Sequence, residues 1–455
     1  MLEKPSFFTT VEKNKHENKI MSIRLSKKIL LDKNLFLFRV KNKELHKCNI
    51  MKNKNTTEGL RHYNRALVLQ SLRRLGPSSH TKIAEDSTLA SGTVSVITTE
   101  LFEEGAIRKE EKPSTKGRGR PRVLLALNPD FARLAFIHIS SSEVEYSLVS
   151  YSNVLLDRFQ VARSNSATDA AAFGDQVRHD LFRLAERSEL HPSEIAHISI
   201  TTKGLVGGGG TKLLWSPVFG DSQIDFAELF KEWPDRVKIN NQTGFSAHAK
   251  LQAAGPFAKQ HAVLSLGDSI GLGIASRTSR EEVSYHAPPF GHMVHVEDGP
   301  LCRCGSLGCI EAYAGFYGIL RCAYDAPTDH IPAKFIPKEQ MAQLAADARA
   351  GDQRIRFAFR QAADVLALGL SRLMTIHGPM AITITGPGVA YFDLMEEHFK
   401  GHFEKNLRIR VSHMPTIAVE KDETGLVFFS NAMVSLSTFD SEYVATRQIE
   451  RARSA

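Results

Sequence analysis

The chain has 455 residues, 42% of them hydrophobic and 24% charged, with five cysteines and a net charge of +8. That length implies two to four domains, the charge content excludes wholesale disorder, and five cysteines are too few for a disulfide scaffold. No stretch reaches the roughly 20 apolar residues of a membrane-spanning helix and no secretory signal opens the chain, so the expected location is cytoplasmic, without a membrane partner.

The charge is unevenly placed. Residues 1–55 carry 14 Lys/Arg against 5 Asp/Glu, whereas residues 56–455 carry 44 against 45. The extension 1–55 is rich in Lys and Asn and lacks a helical period. It reads as a poorly ordered basic tail, with a DNA-contacting arm as the other reading, and Met21 and Met51 offer alternative starts.

Residues 56–127 change pattern. Tyr63–Leu75 has Val68, Leu72 and Leu75 at helical spacing, and Gly76-Pro77 stops it. Ser79 can cap a short second helix carrying Ile83 and Ala84. A third helix, Ser91–Glu104, shows the apolar stripe Val94, Ile97 and Leu101. Two β-like segments follow, Ala106–Lys109 and Val123–Leu127. Three short helices and a β-ribbon read as a winged helix-turn-helix, whose third helix enters the DNA major groove. Its candidate contacts are Ser91, Thr93, Ser95 and Thr99. It has no Lys or Arg and carries Glu100, Glu103 and Glu104, so the charge must come from the wing. Arg108, Lys109, Lys112, Lys116, Arg118, Arg120 and Arg122 are seven cations within fifteen residues. The Arg-Gly-Arg-Pro run at 118–121 is similar to an AT-hook core, which lies in the minor groove.

Residues 128–455 alternate strands and helices. Strands are predicted at Leu134–Ile139, Val144–Val149, Ile195–Thr201, Val237–Asn240, His261–Leu266 and Ala381–Thr385. Helices are predicted at Ala167–Arg187, Lys338–Ala350 and Ile355–His377. Glycine turns close several strands, where ligands sit in α/β folds. The length predicts two lobes with a cleft.

His292, Cys302, Cys304 and Cys309 are the sharpest motif. Three thiols and one imidazole fill a tetrahedral Zn²⁺ shell and leave no open position, so the expected zinc is structural. Cys48 and Cys322 read as free thiols.

At this point the chain resembles the ROK family of sugar-responsive repressors and sugar kinases. The resemblance rests on Gly291-His292-Met293, on Cys302-x-Cys304-Gly305-x-x-Gly308-Cys309-Ile310-Glu311, and on Asn64-Arg65, Thr93-Val94-Ser95, Gly119-Arg120-Pro121 and Leu127-Asn128-Pro129 in the winged-helix part. It covers about residues 60–435. It implies a two-lobed ribonuclease-H/actin-like body, a sugar cleft holding Asn241, His292 and Glu311, and a homodimer or tetramer.

Three departures from the kinase pattern argue against phosphoryl transfer. His138-Ile139-Ser140-Ser141-Ser142 stands where kinases carry Asp-x-Gly-Gly-Thr. Gln242 stands at the position of the catalytic Asp and cannot take a proton at neutral pH. Asp268 sits in the second phosphate turn. Pro289 also replaces a sugar-binding Glu. The sequence therefore reads as a non-enzymatic, DNA-binding repressor of carbohydrate genes. The competing readings are an active sugar kinase fused to a DNA-binding domain and a ligand-independent repressor.

Overall fold

The computed structural model describes residues 57–454 except 112–122, 164–169, 208, 218, 220–221, 234–235, 256, 279–282, 334, 406 and 412. The basic extension, Cys48, and the wing cations Lys112, Lys116, Arg118, Arg120 and Arg122 lie outside the described residues. Among those described, no helix is long and apolar enough to cross a membrane.

The N-terminal part has the predicted order. Helix α1 (Thr57–Leu75) starts earlier than its apolar pattern and ends at Gly76, whose φ of +67° only glycine adopts easily. Helix α2 (His80–Ser87) is capped by Ser79, whose hydroxyl accepts from the Lys82 N–H at 3.4 Å. Helix α3 (Ser91–Glu103) buries Val94, Ile97 and Leu101. Strands β1 (Ile107–Glu111) and β2 (Val123–Leu127) form the antiparallel wing.

The first lobe is a five-stranded sheet. β3 (Arg133–Ile139), β4 (Glu143–Ser150) and β5 (Leu155–Ala162) run antiparallel; β5 alternates exposed and half-buried residues, as an edge strand does. Helix α4 (Ala170–Arg187) leads to β6 (Ile195–Thr202), which pairs parallel with β3. A small sheet of β7 (Leu205–Gly207), β8 (Lys212–Trp215) and β9 (Ile224–Asp225) precedes the short α5 (Phe226–Leu229). β10 (Val237–Asn241) then adds parallel to β6, giving the order β10-β6-β3-β4-β5.

Helix α6 (Gln242–Ala253) crosses to the second lobe. There β11 (Gln260–Ser265), β12 (Gly271–Arg277) and β13 (Val283–His286) are antiparallel. Helices α7 (Ile310–Ala314), α8 (Phe316–Ala323), α9 (Lys338–Ala350) and α10 (Gln353–His377) follow. β14 (Ala381–Thr385), α11 (Glu396–Glu404), α12 (Leu407–Val411) and β15 (Ile417–Val419) complete the order β13-β12-β11-β14-β15. Both sheets follow one plan: three antiparallel strands, then two parallel strands on the far side of the first. This repeated plan is the actin-like doubling expected of a two-lobed body.

Helix α13 (Glu423–Ser454) returns to the first lobe and was not anticipated from sequence. It packs on α6, β3 and β6, and on α1 of the winged helix. Its Ala432, Leu436 and Phe439 share one buried cluster with Val68, Leu72, Ile97 and Leu127 of the winged helix and with Leu134, Phe136 and Tyr151 of the sheet. A boundary at residue 128 therefore separates chain segments but not cores. Each large side chain buried there contributes roughly 1.5–3 kcal/mol, so the winged helix is fastened rather than tethered.

Candidate functional site

On α3, Ser91, Ser95 and Thr99 are exposed and Thr93 is half-buried. Val96, at 60% exposure, joins them and had no sequence signal. Glu100 of α3 and Glu104 just after it pair with α1. Arg61 of α1 donates to Glu100 at 2.5 Å, and Arg65 donates to Glu104 at 3.1 Å through Nη1. Their charge is matched before DNA arrives. In the wing, Arg108 pairs with Glu110 at 2.8 Å and the Lys109 ammonium lies 4.6 Å from the centre of the Phe102 ring.

The metal motif assembles. The ligand atoms of His292, Cys302, Cys304 and Cys309 all lie within 4.8 Å of one another. His292 Nδ1 is 3.6 Å from the Cys302 sulfur, and the Cys304 and Cys309 sulfurs are 3.8 Å apart. Zn–S and Zn–N bonds of about 2.3 and 2.0–2.1 Å at tetrahedral angles give edges of about 3.6–3.8 Å, so the four groups fit such an ion. Gly305 and Gly308 take left-handed φ of +86° and +70°. A Cβ on Gly308 would lie 1.7 Å from the Val296 carbonyl oxygen, so only glycine lets the loop close. Without an ion, Cys309 donates to Cys302, which lowers the Cys302 thiol, with His292 and the Tyr317 hydroxyl adding to the shift, and raises the Cys309 thiol by the same contact.

Asn241 and Glu311 are both engaged by other groups of the protein. The Asn241 carbonyl accepts from the Thr243 N–H at 2.9 Å and the Thr243 hydroxyl at 2.7 Å, capping α6, while its amide donates to the Gly204 carbonyl at 2.8 Å. Glu311 is 1% exposed. One oxygen accepts from the Ile270 N–H at 3.0 Å and the other lies 3.3 Å from Arg303. Burial raises the Glu311 carboxyl, and Arg303 and His292 oppose that shift. The Trp215 ring stands edge-on to His292 at 4.9 Å, with Trp215 on one lobe and His292 on the other. Asn241, Gly204, Trp215 and His292 are thus linked in series by contacts, and Asn241 and Glu311 already have protein partners.

The turns at 138–142 and 267–271 are bonded internally. The Ser140 hydroxyl accepts from the Ser142 and Glu143 N–H groups at 3.3 and 3.1 Å. Asp268 accepts from the Ile336 N–H at 3.0 Å. Gln242 Nε2 donates to Glu423 at 3.0 Å, the Ser265 hydroxyl donates to the same oxygen at 2.7 Å, and the Lys203 ammonium is 3.7 Å from it. Sequence reading missed Lys203, Trp215 and Glu423. Trp215, one of two tryptophans, was the only one of them with a signal to follow.

Comparison with known proteins agrees with this architecture. The ROK family model matches residues 143–427. A xylose repressor of Caldicellulosiruptor bescii is 23% identical over 389 residues, covering 79% of this chain and 94% of the relative. The DNA-binding transcriptional dual regulator NagC of Escherichia coli K12 is 24% identical over 268 residues, 55% of this chain and 62% of its own length. The crystal structure of a ROK family transcriptional regulator, a homologue of the E. coli Mlc protein, aligns with a TM-score of 0.65 at 17% identity, over 84% of this chain and 97% of that one. A ROK family glucokinase from Streptomyces griseus, in complex with glucose and AMPPNP, aligns at 0.50 and 20% identity over 67% of this chain and 99% of its own. With more than half its length matched by the family model, the chain belongs to the ROK family.

Proposed function

We propose that the protein is a DNA-binding transcriptional repressor of carbohydrate genes, whose kinase-like body binds a carbohydrate without phosphorylating it. The observation that carries this reading is Gln242. An amide stands at the base position, in a body fastened through a shared core to a winged helix. The nearby Glu423 carboxylate is a poor substitute base. Burial pushes it up, but Lys203 and the Ser265 hydroxyl outweigh that and hold it below its usual range. The xylose repressors and NagC among its relatives support the regulatory role.

In this reading Ser91, Thr93, Ser95 and Thr99 meet base edges while Arg118, Arg120 and Arg122 supply phosphate or minor-groove contacts. His292, Cys302, Cys304 and Cys309 hold a structural zinc. Asn241, His292 and Glu311 border the carbohydrate, and the protein acts in the cytoplasm as a homodimer or tetramer. Operator mapping with and without a sugar panel, together with an ADP-release assay on the same panel, tests the proposal. Sequence-specific DNA binding with no ADP release is expected. Sugar-dependent ADP release well above background would refute the non-enzymatic part.

A further inference from the structure

Glu423 is the first residue of α13, yet its carboxylate lies in the cleft among groups from elsewhere in the chain. It accepts from Gln242 and Ser265 and faces Lys203. The Lys203 separation of 3.7 Å exceeds an N–H···O hydrogen bond, so this pair attracts without being well hydrogen-bonded. Gln242 is 2% exposed, and its Oε1 is buried with no hydrogen-bond partner. A buried acceptor without a donor is costly and calls for one. The half-buried His138, 3.3 Å from the Thr201 hydroxyl, has its pKa lowered to about 4 by desolvation. Two further carboxylates lie nearby: Glu311 faces Arg303, and Asp268, which accepts from the Ile336 N–H at 3.0 Å, is attracted by both Arg303 and Lys203.

We propose that Glu423 is a built-in stand-in for a ligand carboxylate, and that the cleft takes a sugar acid. The ligand carboxylate takes Lys203 and a ligand hydroxyl donates to Gln242 Oε1. This rests on the cleft being a carbohydrate site, and it names the class. Two carboxylates cannot share one ammonium in a half-buried site without strong repulsion, so the ligand expels Glu423. A neutral sugar brings only hydroxyls, which compete poorly with a charge-assisted bond. Expelling Glu423 disturbs the first turn of α13, whose Asp440 grips Arg73 of the winged helix. Ligand entry and DNA affinity are thereby coupled through one helix.

The test is calorimetric titration of the full chain with D-gluconate, D-xylonate and D-glucuronate against D-glucose, D-xylose and acetate. Lys203→Met and Glu423→Gln are compared with wild type, and thermal melts verify folding. At least one sugar acid should bind more tightly than its neutral parent and than acetate. Its affinity should fall at least about tenfold in Lys203→Met and rise in Glu423→Gln, where the internal competitor is uncharged. Silence across all three acids, equal binding of acid and neutral sugar, or an unchanged affinity in a folded Lys203→Met would overturn the proposal. Should Lys203→Met not fold, an affinity not raised in Glu423→Gln does the same. A gel shift of the unliganded wild type keeps the two readings apart. DNA binding with tight D-xylose binding would leave the repressor standing and sink this inference, whereas loss of DNA binding would sink the repressor itself.

Discussion

Arg73 and Asp440 lie 367 positions apart and form an ion pair in which one guanidinium nitrogen, Nη2, donates to both carboxylate oxygens at 2.9 Å. Arg73 also donates to the Tyr151 carbonyl at 2.7 Å and lies 4.5 Å from the centre of its ring, while the Tyr151 hydroxyl donates to Asp440 at 2.7 Å. The winged helix, the first sheet and the last helix meet in this one buried triad.

Removing one partner strands the other charge. Asp440→Ala should cost about 3–5 kcal/mol, the usual loss when a buried pair is broken, and Asp440→Asn less. Urea unfolding followed by circular dichroism measures this. The wild type should unfold its winged helix and first lobe together, since they share a core. A loss below about 1 kcal/mol in Asp440→Ala would mean that the triad does not fasten the domain.

The wing should supply most of the non-specific DNA affinity, because α3 has no cation. Replacing Arg118 and Arg120 with Ala should weaken binding on every sequence and reduce the log–log salt slope by about 0.9 per lost phosphate contact. A slope that stays the same would contradict this.

Zinc should be present at one ion per chain and should stabilise the fold. Cys304→Ser should lower both zinc content and melting temperature, because binding energy at a structural site is folding energy. Elemental analysis finding no zinc in the purified wild type would rule the assignment out.

Stability should decline on mild acidification. Burial lowers the pKa of His197, His248 and His261 to about 4 each. Unfolded, these imidazoles take protons near pH 6.5, while the folded chain refuses them until about 4. Their contribution is complete above about pH 6.5 and is lost as pH falls toward 4. Denaturation midpoints measured from pH 7.5 to 4.5 should decrease steadily. A flat profile would show that these rings are hydrated in the folded state.

What the sequence determined by itself is local. The stripe of Val94, Ile97 and Leu101 marked α3, the boundaries Lys338–Ala350 and Ala381–Thr385 were legible from apolar period and flanking residues, and the metal ligands were legible because they fall within eighteen residues of one another. The strands β5, β12, β13 and β15 escaped for different reasons: β12 opens on Gly271 and Gly273, which read as a turn, β13 and β15 are only four and three residues long, and β5 is an edge strand with no fully buried residue. Tertiary structure decided which charges meet. It paired Glu100 and Glu104 with α1, set Glu423 beside Gln242 across 181 residues, and brought Asp440 to Arg73. Periodicity and capping are properties of neighbours along the chain, whereas an ion pair between distant segments exists only once packing has closed the loops between them. That is why the metal ligands could be read from sequence while the partners of Gln242 and Arg73 could not.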